Sequence, residues 1–112
     1  MKNAQLTTLK AKIKGFEIEA RYINNRIARS TGERKAEWWN EKRRLGQCAR
    51  AHFLAYALLR GFPRTRVETR VNKHNPIYHS LILEVVLTTL PYSREKHSVL
   101  SVITWLDNQT PE

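Results

Sequence analysis

Cysteine is almost missing from this chain: Cys48 is the only one in 112 residues. That excludes an internal disulfide and a zinc cluster built on cysteines. Cys48 lies among small apolar neighbours, which predicts a buried, inert thiol. Long apolar runs are missing too. The longest, in residues 81–87, contains Glu84 and falls far short of the roughly 20 residues a membrane-crossing helix needs. The opening MKNAQLTTLKAKIKG lacks the continuous apolar stretch of a signal peptide. A cytoplasmic setting and no membrane partner are therefore expected. Repeats and low-complexity segments are absent, and the length suits a single domain, residues 1–112.

Acidic side chains are the next scarcity. Asp and Glu number 10 against 20 Lys and Arg, a formal net charge of +10. The excess is uneven. Residues 1–61 carry 14 basic and 5 acidic side chains, residues 62–75 carry 4 and 1, and residues 76–112 carry 2 and 4. The basic surface thus belongs to the first two-thirds, and such an excess points to an anionic partner, most often nucleic acid.

What is present is helical periodicity. Leu6, Leu9, Ile13, Phe16, Ala20, Ile23 and Ile27 are spaced alternately three and four apart, an a/d seam that predicts an amphipathic helix over 5–30. Glu17 and Arg26 fall off that seam. Packing within its own domain is the plain reading of the seam; a homodimer formed through it is the alternative. Ser30-Thr31-Gly32 breaks the pattern, with Ser30 or Thr31 as the expected cap of a second helix over 33–60. There Trp38, Leu45, His52 and Leu59 recur every seven residues, so the two helices should form an antiparallel hairpin. From Leu45 to Leu59 the second helix is apolar nearly all round and should be covered on every side. Gly61 and Pro63 end it.

Beyond Pro63 the expectation is a short basic helical turn over 63–71, a strand through Val67, Thr69 and Val71 being the weaker reading. Residues 72–75 form a loop. Asn75-Pro76 starts a buried helix over 76–90 that stops at Pro91. The β-branched content of that segment argues for a strand, its cap and length for a helix. Ser93 caps a last helix with Val99, Val102, Ile103 and Leu106 on one face. The expected fold is all-α: a long antiparallel hairpin packed against two shorter C-terminal helices.

Catalytic material is thin. No P-loop, HExxH or paired-carboxylate motif occurs, and His52, His74, His79 and His97 form no metal-binding pair. No metal, cofactor or catalytic residue is expected. The remaining enzyme reading is Cys48 with His52 at i, i+4, which would need an orienting third group and an open pocket. Binding material is richer. Arg43, Arg44, Arg50, Arg60, Arg64, Arg66, Arg70 and Lys73 are the candidate phosphate contacts, most concentrated around Pro63. Arg34, Lys35 and Lys42 have Glu33, Glu37 and Glu41 as local partners and are set aside. Trp38 and Trp39 cannot both face the seam, so one is a candidate for base stacking or for anchoring a partner.

Val67-Glu68, Asn75-Pro76 and the apolar run Leu81–Leu90 together resemble the tail of a phage-repressor-type helix-turn-helix domain. There a short recognition helix ends in an Ile/Val-Glu pair before a polar loop and an apolar helix. The resemblance covers residues 66–90 only, and the long hairpin replaces that family's first helices. It implies that Arg64, Arg66 and Arg70 lie near DNA. Small, basic, self-contained helical chains are also common among phage- and plasmid-encoded proteins. The functional expectation is a small regulator or accessory protein that binds nucleic acid, DNA ahead of RNA, and is not an enzyme. The alternative is an interaction module, an inhibitor or adapter, that docks its basic tryptophan face on an acidic surface of a host nucleic-acid-processing protein.

Overall fold

The computed structural model describes residues 2–63, 67–71, 82–87 and 95–110, with side chains at 3–63, 67, 69 and 101–110. Helix α1 (Lys2–Arg29) and helix α2 (Gly32–Leu59) form the expected antiparallel hairpin. The seam does what its spacing requires. Ile13, Ala20, Ile23 and Ile27 of α1 are buried with Leu45, Ala49 and Tyr56 of α2. Leu6, Leu9 and Phe16 pack against them. The α1 seam is therefore occupied inside the chain. Glu17 departs from expectation: it is 2% exposed, four residues after Ile13 and three before Ala20 and so within the helical stripe that they bury.

The turn is as tight as it looked, but Thr31 makes no side-chain cap bond; it is extended at φ −134°. Gly32 follows at φ 60°, a left-handed conformation that glycine takes without a Cβ penalty. Helix α2 ends in a Schellman motif. Gly61, at φ 101°, donates to the Leu58 carbonyl, and Phe62 donates to the Ala57 carbonyl at 3.0 Å. Both satisfy carbonyls that a helix end leaves without a partner.

Helix α2 has two buried flanks. One faces α1. The other carries Gly46, Phe53 and Ala57 in line with Arg50, whose Nε donates to Thr69 Oγ1 at 3.1 Å in strand β1 (Val67–Val71). Cover on every side, as the composition led us to expect, is not reached: Ala51 and Leu58 remain exposed.

The helical expectation holds for the hairpin and for the short helix α3 (Val99–Asp107). It does not hold for three short segments. β1, β2 (Ile82–Leu87) and β3 (Glu95–Ser98) form an antiparallel sheet in the order β1-β2-β3. Val67 pairs with Leu87 and Val71 with Leu83; Ile82 pairs with Ser98. The expected helices over 63–71 and 76–90 are thus corrected at 67–71 and 82–87. The expected last helix begins at Val99, with a strand before it. β1 reads as alternation: Val67 and Thr69 are both buried, two apart as a strand places them. In β2 the branched Ile82, Val85 and Val86 suit a pleated surface. A helix of the same residues would be apolar all round and would need cover on every side. The resemblance to a repressor tail implies helices where β1 and β2 are strands.

Candidate functional site

The hairpin tip gathers cations from both helices. Arg26 and Arg29 end α1, and Arg34 and Lys35 begin α2; all four are exposed. Among the described residues Lys12, Lys14, Arg21, Arg29, Arg34 and Lys35 are exposed and form no ion pair. This reverses an expectation, since Arg34 and Lys35 were set aside as locally paired. Glu41 instead bonds Arg44, at 2.6 Å.

The expected contacts divide accordingly. Arg43 is exposed and donates to Asn40 Oδ1 at 2.6 Å. Arg44 is committed to Glu41. Arg50 ties α2 to β1 through Thr69. Arg60 is half-buried, with Nε 3.4 Å from Asp107 Oδ1, and serves the packing of α3. The sheet register sets Arg70 opposite Glu84, an acidic neighbour that nearness in sequence does not reveal. Arg64, Arg66 and Lys73 lie outside the described residues. Lys42, set aside with Arg34 and Lys35, is 7% exposed with Nζ 5.1 Å from the Trp39 ring centre. Burial lowers its pKa below the usual lysine value.

Both tryptophans are half-buried. Trp38 meets Tyr22 edge to face, with ring centres 5.9 Å apart. Arg26 joins them. Its Nε donates to the Tyr22 hydroxyl at 3.1 Å, and its guanidinium carbon lies 5.1 Å from the Tyr22 ring centre and 5.9 Å from that of Trp38. Tyr22 is 52% exposed, and Ile18, one turn before it, 62%. The sequence reading missed Tyr22, Arg26 and Ile18 as a group. One signal was there: across a two-residue turn, Tyr22 lies about as far before the break as Trp38 lies after it.

Cys48 is exposed, not buried. His52 is half-buried, its ring 4.9 Å from that of Phe16. Its Nδ1 lies 2.7 Å from the Cys48 carbonyl oxygen, so that nitrogen donates to the backbone rather than accepting a proton from the thiol. Among the described residues no group of three or more His, Cys, Asp or Glu is placed to hold a metal ion. No helix among them is long and apolar enough to cross a membrane.

A second polar cluster binds the three helices together. The Tyr56 hydroxyl donates to Asp107 Oδ1 at 2.8 Å. Lys10 Nζ lies 3.6 Å from Asp107 Oδ2 and 5.8 Å from the Tyr56 ring centre. Lys10 and Arg60 thus place positive charge at the C-terminus of α3, where the helix dipole favours it. Burial first, then the hydrogen bond and charge of Asp107, push the Tyr56 phenol up to about 12, against a smaller opposing effect of Arg60. Compared with known proteins, the chain matches no family model, no curated protein and no solved structure.

Proposed function

We propose that this protein binds nucleic acid through the exposed cations of its hairpin, as a small accessory or regulatory factor rather than an enzyme. The observation that carries this reading is the set of exposed cations that form no ion pair among the described residues, Lys12, Lys14, Arg21, Arg29, Arg34 and Lys35. A cation already paired gains little from a phosphate, whereas an unpaired one releases the phosphate's counterions on contact. The excess lies where the net charge of residues 1–61 lies.

The test is a titration of labelled DNA and RNA at several salt concentrations. A site touching about five phosphates gives a log–log slope near −4.5 on duplex and near −3.5 on single strands. Charge reversal at Arg29, Arg34 and Lys35 lowers affinity at low salt and leaves the fold intact. Reversal at Arg44, which is spoken for by Glu41, does less. Absence of any binding at low salt defeats the proposal. A second reading, docking on an acidic protein surface, draws support from Ile18, exposed among these cations, and takes first place in that event.

A further inference from the structure

The cations explain attraction to any polyanion. They do not account for Tyr22, Arg26 and Trp38. We infer that these three side chains form a stacking platform for unpaired nucleobases, so that the ligand is single-stranded nucleic acid.

The geometry favours a base. Tyr22 presents about half its surface to solvent, although an aromatic ring gains by burial. Arg26, itself exposed, lies against it with Nε 3.1 Å from the Tyr22 hydroxyl, so an aromatic ring and a guanidinium meet at one exposed spot. Base faces stack on both kinds of surface, without regard to sequence. Trp38, packed edge to face on Tyr22, holds the platform in place. It also walls a hollow of about 430 Å³ lined with Arg34, Glu37 and Glu41.

Those two carboxylates disfavour phosphate inside the hollow itself, leaving Trp38 as its apolar wall. Arg29 and Arg34, exposed and without ion pairs among the described residues, lie on either side of the turn and hold the backbone. In a duplex the base faces are covered by their neighbours and cannot reach a platform on the side of a helix. A strand with splayed bases can. Ile18, one turn along α1, extends the apolar surface for a second base or sugar.

This inference rests on the nucleic-acid reading, and the experiment separates the two. The full chain is titrated by fluorescence anisotropy against a twelve-nucleotide single strand, as DNA and as RNA, and against the matching duplex. Tighter binding of either single strand than of the duplex is expected, and the better of the two identifies the sugar. Tyr22→Ala should weaken single-strand binding about tenfold, consistent with the loss of one stacked base. It should leave the salt slope unchanged, because no phosphate contact is lost. Tyr22→Phe, which keeps the ring but loses the hydroxyl that Arg26 bonds, should weaken binding less than Tyr22→Ala. Trp emission should be quenched by the single strand, and less so in Trp38→Phe, a readout that does not depend on how Tyr22→Ala folds. If the duplex binds as well as the single strands, or Tyr22→Ala binds like the parent, the stacking site is wrong while the nucleic-acid reading stands. If no probe binds, both fall.

Discussion

Tyr56 is 1% exposed and donates its proton to a carboxylate, so the folded chain holds the phenol neutral. Its pKa is raised to about 12 from 10.0. Between these values the unfolded phenol ionises and the folded one does not, so the folded state binds more protons. The stabilisation is complete below pH 10 and is lost as pH rises towards 12. Absorbance titration should show a tyrosine ionising near pH 12, together with a fall in denaturation midpoint over that window. A Tyr56 that ionises near pH 10 with no change in stability would refute the contact. At the same scale, the pairing of charges was the least legible feature of the sequence. Glu33, Glu37 and Glu41 stand near Arg34 and Lys35 in sequence, yet Glu41 meets Arg44. Arg34 and Glu37 share the same i, i+3 spacing and form no ion pair among the described residues, so the spacing permits such pairs without deciding them.

Among the elements, the hairpin was fully legible. Matched seven-residue spacings in two segments, separated by a three-residue break, leave little freedom. The sheet was not. A short apolar run reads equally as buried strand or buried helix, and Asn75-Pro76 with Pro91 framed a helix-length window around what is a six-residue strand. The alternation of Val67 and Thr69 was the clue that the expectation ranked second. The position of α3 could not be read either, since it depends on Asp107 reaching Tyr56 51 residues away. Asp107→Asn and Tyr56→Phe should each cost about 1–2 kcal/mol by urea denaturation. The double variant should cost less than the sum by about 0.5 kcal/mol or more. Strict additivity would mean that the two groups do not act on each other.

In the molecule as a whole, everything after Pro63 includes the cover for one flank of the hairpin. Phe53, Ala57 and Phe62 are each 1% exposed or less, and β1 and α3 pack on α2. The first 63 residues alone should therefore self-associate, which sedimentation would detect, whereas a monomeric, helical 1–63 chain would show that the hairpin needs no cover. The Schellman stop at Gly61 gives this dependence a direction in time. A chain is made from its N-terminus, and 45 residues separate Phe62 from Asp107, about 2–9 s of synthesis. Both helices of the hairpin are made before α3, so the hairpin can close first. For those seconds a finished helical hairpin stands with an aromatic flank bare to water, and the 1–63 chain is its lasting equivalent.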